Sequence, residues 1–125
     1  MRTPRPHEKL EVWKRAIDLS VEVYRITEKL PDAEKYGLTS QMRRAAVSVA
    51  SNIAEGAARG TISLYLLSLN VARASLAELD TQLEICRRLE FVTAIDSEIL
   101  RDQTEVIGKM LTNLSKALRK KPNHK

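Results

Sequence analysis

The sequence predicts an all-α protein, an antiparallel up-down-up-down four-helix bundle, on three observations. Apolar residues recur at spacings of three and four along nearly the whole chain, which is the signature of amphipathic helices. Proline stands only at positions 4, 6, 31 and 122, so 32–121 can form long helices and does not suit a turn-rich sandwich or barrel. The chain has 125 residues, 43% of them hydrophobic and 30% charged, which suits one domain with one core. The expected organisation is a basic arm over 1–7, the bundle over 8–121 and a disordered tail over 122–125.

The first helix is expected over 8–30, because Pro31 cannot continue it. It carries one apolar row of Leu10, Trp13, Ile17 and Tyr24, and a second of Val12, Ala16, Leu19, Val23, Ile26 and Leu30. At about 100° per residue the rows merge into an arc over about half the circumference, whereas a bundle helix needs little more than about 100°. The surplus calls for a second partner, and Val12, Ala16, Leu19, Val23 and Ile26 are assigned to a contact with a neighbouring copy, while periodicity alone leaves open which of the two rows faces it. Residues 32–38 read as a loop with Gly37 as its permissive point, and Thr39 or Ser40 as the cap of a second helix that Gly56 ends.

On the second helix Met42, Ala46, Val49 and Ile53 form an inward row among small residues that permit close packing. Gln41, Arg44, Ser48, Asn52 and Glu55 form a polar stripe, either a solvated face or an interfacial network. Thr61 caps a third helix whose core row is Tyr65, Leu69, Ala72, Leu76, Leu79, Leu83 and Cys86, ending around 89–91. Thr93 with Asp96 opens the fourth, on which Leu100, Gln103, Ile107, Met110 or Leu111, Leu114 and Leu118 repeat the rhythm.

Several kinds of chemistry find no residues to support them. A di-iron bundle needs Glu-x-x-His pairs, but the two histidines, His7 and His124, fall outside the expected helices. Cys86 lies on a core row with no helical histidine to activate it, and reads as packing. The four glycines build no phosphate loop, and no G-x-S-x-G occurs. The residues therefore support no catalytic site, no metal site and no cofactor. The single cysteine fits a reducing cytoplasm. No apolar run approaches the ~20 residues of a membrane span, so no membrane partner is expected.

The net charge of +5 is unevenly spread. Arg2 and Arg5 at one end, and Lys116, Arg119, Lys120, Lys121 and Lys125 at the other, leave 14 basic against 16 acidic residues between them, a net of −2. Arg43 and Arg44 oppose the dipole at the start of the second helix, and Arg59 follows its end. These residues read either as structural ion pairs or as phosphate contacts. In an oligomer, Arg43, Arg44, Arg59 and the tails with Arg119, Lys120 and Lys121 are expected to gather on one symmetric surface for sequence-tolerant contact with RNA or DNA. With aromatics only 4% of the chain and read mostly into core rows, base stacking is not expected.

Five strings carry a resemblance: LEVWKRA (10–16), YGLTSQMRRAAVS (36–48), SNIAEG (51–56), SLAELDTQL (75–83) and GKML (108–111). With them the chain resembles the four-helix bundle proteins encoded by intervening sequences of bacterial large-subunit ribosomal RNA genes. More distantly, it resembles the accessory variability determinant of diversity-generating retroelements. The resemblance implies a cytoplasmic, non-enzymatic bundle closed as a ring-shaped homopentamer. The distant relative implies binding of nucleic acid and of a reverse transcriptase. The alternative is a scaffold ring that recruits a protein partner, such as a reverse transcriptase, without touching nucleic acid. The chain departs from the family at Glu90, where a glycine is common, and at Leu64 and Leu67, where charged residues are common; those leucines add apolar surface for an interface.

Overall fold

The computed structural model describes residues 2–122 and contains four α-helices with no strand among the described residues. They are α1 (Glu11–Thr27), α2 (Leu38–Ala58), α3 (Ile62–Arg88) and α4 (Ala94–Arg119). Helix α1 packs on α2 and α4, and α3 packs on α2 and α4, with the α2–α3 contact the most extensive. The expected tail lies outside the described residues beyond Pro122.

The N-terminal arm is folded back and its charge is partly neutralised. Residues Pro6–Lys9 form a 3-10 turn against α2. The Glu8 carboxylate accepts from the Arg5 backbone N–H at 3.0 Å and from the Arg2 guanidinium at 2.9 and 3.2 Å. His7 meets Trp13 edge-on with ring centroids 4.8 Å apart. Helix α1 stops at Thr27, earlier than Pro31 requires, and Lys29 and Leu30 bond back to the carbonyls of Ile26 and Thr27 in a tighter turn.

Neither Thr39 nor Ser40 caps α2. Gly37 occupies the cap position, and Glu34 accepts from the Leu38 N–H at 3.2 Å, doing from outside what a cap hydroxyl does. Thr39 is thereby buried in the first turn. Gly56 does not end the helix, which runs on to Ala58. A Cβ at position 56 would stand 3.0 Å from Ser68 Cβ and Tyr65 Cδ1 and 3.3 Å from the Tyr65 carbonyl. This glycine lets α3 approach closely.

The two threonine caps form as expected: Thr61 Oγ1 accepts from Leu64 N–H at 3.2 Å and Thr93 Oγ1 from Asp96 N–H at 3.0 Å. Helix α3 ends in a Schellman arrangement. Phe91 N–H bonds the Cys86 carbonyl at 2.9 Å, Glu90 N–H bonds the Arg87 carbonyl at 3.1 Å, and Glu90 takes φ 60°. That is the left-handed conformation that glycine adopts without steric cost.

The core is built from the expected rows. Leu19, Val23 and Ile26 of α1, Met42, Val49 and Ile53 of α2, Leu69, Leu79 and Leu83 of α3, and Leu100, Ile107 and Leu111 of α4 are fully or nearly fully buried. Truncating one of these leucines to alanine costs about 2–5 kcal/mol. Side chains also locate the helix ends. Cys86, late in α3, lies 3.5 Å from the Met42 sulfur early in α2, and Lys29, just past α1, reaches the buried Asp96 in the first turn of α4 at 3.0 Å.

Helix α3 is long and apolar enough on average to cross a membrane by length and composition, with Asn70, Arg73 and Glu78 interrupting its apolar residues. Its inward residues pack in the bundle core, while Leu64, Leu67 and Val71 face out. The Glu90 geometry gives a stability prediction: Glu90→Gly removes the left-handed strain and raises unfolding stability by about 0.5–1 kcal/mol, read as a higher denaturant midpoint at unchanged m.

Candidate interaction surfaces

The basic residues singled out in the sequence do not form one surface within the subunit. Arg43 is tied into the fold: its Nε donates to Thr27 Oγ1 at 3.0 Å, and its Nη2 donates to the Tyr24 carbonyl at 3.3 Å and Glu28 Oε2 at 3.1 Å. Its guanidinium carbon lies 4.5 Å from the centre of the Tyr24 ring. A cation that bonds a last-turn carbonyl of α1 favours that helix's dipole, so Arg43 joins α1 to α2 and its side chain is only 26% exposed. Arg59 pairs with Glu55 one turn earlier in its own chain. Arg44 is exposed and has no ion-pair partner among the described residues.

Distance separates them further. Arg44 and Arg59 stand about 22 Å apart along α2, at 1.5 Å per residue. Because Lys29 holds Asp96 near the Arg43 end, about 35 Å of α4 separates that end from Arg119, Lys120 and Lys121. Within one subunit the six therefore stand at two opposite ends of the bundle. Arg119, Lys120 and Lys121 are exposed at the α4 end, with no ion pair among the described residues.

The interface row is corrected. Val12, Ala16, Leu19, Val23 and Ile26 are buried inside the subunit, four of them completely, and are unavailable to a neighbouring copy. The other row of α1 faces solvent: Ile17, Val21 at 64% exposure and Tyr24 at 47% are joined on α2 by Val47. Helix α3 carries a second outward strip of Leu64, Leu67 at 55% exposure, Val71, Ile85 and Leu89. Leu64 and Leu67 were legible as surface additions. Val71, Ile85 and Leu89 were not singled out, although 64, 67, 71, 74, 78, 81 and 85 keep a three–four rhythm of their own.

The aromatics also sit differently from expectation. None of the five is fully buried, and Tyr36 is 87% exposed beside Lys35, whose ammonium lies 5.6 Å from its ring. The polar stripe of α2 divides. Ser48 bonds Ser75 of α3 at 2.8 Å and receives the Asn52 amide at 3.1 Å, forming an inter-helix network, while Gln41, Arg44 and Glu55 are solvated.

Cys86 is a core residue, and burial, with the Glu34 charge adding, pushes its thiol up to about 11. Glu84, held by Arg87 and Arg88, has its carboxyl lowered to about 2. An open groove of about 600 Å³ runs between α3 and α4, with Leu76, Ala77 and Gly108 in its wall and Arg73, Asp80, Glu105 and Lys109 around it. Lys109 and Glu105 pair at 3.3 Å, so the groove presents mixed charge. No three His, Cys, Asp or Glu residues lie close enough to hold a metal among the described residues.

With this geometry in view, the model of the 23S rRNA-intervening sequence proteins matches residues 8–113. The chain belongs to that family. A crystal structure described as that of a protein of unknown function from the S23 ribosomal protein family of Bacteroides thetaiotaomicron is similar to it. The TM-score is 0.79 at 23% identity, over 84% of this chain and 98% of that one, a likeness of fold. None of the curated proteins matches. For this member of the 23S rRNA-intervening sequence family, the unequal roles of its two adjacent arginines are testable. Arg43→Gln costs about 1–2 kcal/mol of unfolding free energy through its lost bonds, while Arg44→Gln stays within about 0.5 kcal/mol. Both are read from denaturation midpoints. Cys86→Ala costs about 1 kcal/mol, and in the native protein Cys86 reacts with a thiol reagent far more slowly than after unfolding.

Proposed function

We propose that this protein is a non-enzymatic, cytoplasmic interaction module. Its four helices run antiparallel, up-down-up-down, and copies assemble as a ring-shaped homopentamer that recruits a protein partner such as a reverse transcriptase. The observation that carries assembly is the pair of outward apolar strips on α1 and α3, which the subunit's own core leaves uncovered. Isolated exposed apolar residues are ordinary on a soluble protein, but apolar residues clustered on one face, as at Ile17–Tyr24 and Leu64–Val71, are often contact surfaces. The antiparallel course is supported by the contacts between helix ends at Arg43–Tyr24, Met42–Cys86 and Lys29–Asp96. The number five rests on the family resemblance.

One observation favours a second reading, sequence-tolerant contact with RNA or DNA: the cluster of Arg119, Lys120 and Lys121 at the α4 end, exposed and unpaired among the described residues. Arg43 contributes nothing to it, being engaged in the fold. Repeated around a ring, these clusters would give several weak backbone contacts acting together.

Multi-angle light scattering at micromolar concentration tests assembly. The expected mass is about five times the 14.1 kDa subunit, and a monomer contradicts the reading. Fluorescence titration with a mixed-sequence RNA at rising salt tests the second reading: affinity falls steeply with salt and is weakened by changing Arg119, Lys120 and Lys121 together to glutamine. Indifference to RNA and DNA at low salt leaves the protein-recruiting ring.

A further inference from the structure

We infer that the strip on α1 of one copy packs against the strip on α3 of the next, so that copies join head to tail through two different faces. The inference rests on the assembly reading and names the surfaces that carry it. The two strips lie on either side of α2. On the α1 side, Tyr24 takes Arg43 of α2 across its ring, and Ile17 and Val21 continue outward from it. On the α3 side, Ser68 lies against Gly56 and Ser75 bonds Ser48, and Leu64 and Val71 stand one turn before those serines. The strips therefore belong to different faces of one subunit. A two-fold pairing of either face with itself would leave the other uncovered.

Rhythm, size and charge favour a second copy as the occupant. Helix α3 shows solvent a three–four row over 64–85 parallel to its core row, the spacing that receives another helix knobs-into-holes. Among the described residues, the densest outward row to receive it is Ile17, Val21 and Tyr24 of α1, at spacings of four and three, whereas α4 exposes only Ile95 and Val106 of its large apolar side chains, eleven residues apart with Asp102 between them. The α3 row through Leu89 is about 38 Å long and about 10 Å wide, or about 400 Å² in projection. Its large apolar side chains lie at the two ends, Leu64–Val71 and Ile85–Leu89, on either side of Glu78 and Thr81, and its size falls in the roughly 300–600 Å² range of the largest, often functional, patch of a monomer. Each row also carries one charge without an ion-pair partner among the described residues: Lys14 in line with Ile17 and Val21, and Glu78 in line with Ala74 and Val71. Pairing α1 with α3 brings together rows of opposite sign, whereas α3 against α3 sets Glu78 against its copy.

A complementation experiment tests the assignment. Val21→Arg blocks the α1 face and Leu67→Arg the α3 face. Both positions are exposed in the subunit, and far-UV circular dichroism checks that each variant keeps its helices. Val21→Gln and Leu67→Gln repeat the test with milder changes. In sedimentation velocity each variant alone is a monomer, and an equimolar mixture gives a 1:1 dimer of about 28 kDa, twice the 14.1 kDa subunit, which can grow no further because both remaining faces are blocked. If either variant alone dimerises, or the mixture stays monomeric, the head-to-tail pairing is overturned. If both variants assemble as the wild type does, these faces are not the contact while the assembly reading survives. A monomeric wild type overturns both.

Discussion

A helix in a four-helix bundle can bury one stripe in its own core, and α1 and α3 each carry two. That limit shapes the rest of the molecule. In α1 the core takes the row of small and branched side chains, Val12, Ala16, Leu19, Val23 and Ile26, leaving Ile17, Val21 and Tyr24 outside. In α3 it takes Leu69, Ala72, Leu76, Leu79, Leu83 and Cys86, leaving Leu64, Leu67, Val71 and Ile85. In α3 the row left outside is the more polar one, since it carries Glu78 and Thr81, whereas in α1 close packing also decides. In α1, small and β-branched residues let the helix axes approach to native density, whereas Tyr24 or Trp13 in the same place would hold them apart.

Helix α2 is what makes the close approach possible. Its alanines, serines and Gly56 give it a narrow profile, so α3 can lie against it along a seam of Ser48, Ser75 and Gly56. The seam is polar but satisfied, since the serine hydroxyls bond each other across the helices and Asn52 completes the group. On the other side of α2, Arg43 closes the α1–α2 corner by bonding the Tyr24 carbonyl near the end of α1. A basic residue near a helix N-terminus opposes that helix's dipole, but Arg43 also lies at the C-terminal end of the neighbouring helix, where the sign is favourable. The placement that looked functional in one dimension is structural in three.

Much of the fold was legible in the sequence because it follows from local rules. The four helices, the inward rows and the threonine caps at 61 and 93 each depend on periodicity or on a hydroxyl one turn from its partner. What could not be read depended on tertiary neighbours. Gly56 looks like a stop until Tyr65 and Ser68 are seen against it. Thr39 looks like a cap until Glu34 is found bonding the first free N–H. The interface row was misassigned for the same reason. Periodicity reports that α1 has more apolar surface than one bundle uses, but not which half the bundle keeps. Likewise, the sequence reports six candidate basic residues without their separation by the lengths of α2 and α4.

The central claim is that apolar surface left over from the subunit core is covered by another copy and so contributes to stability. Thermal unfolding measured over a hundredfold range of protein concentration tests this directly. If copies cover one another's strips, folding is coupled to association by mass action and the midpoint rises with concentration. A midpoint independent of concentration, with a single sharp transition throughout, would show a subunit that is stable with both strips in water and would contradict the account.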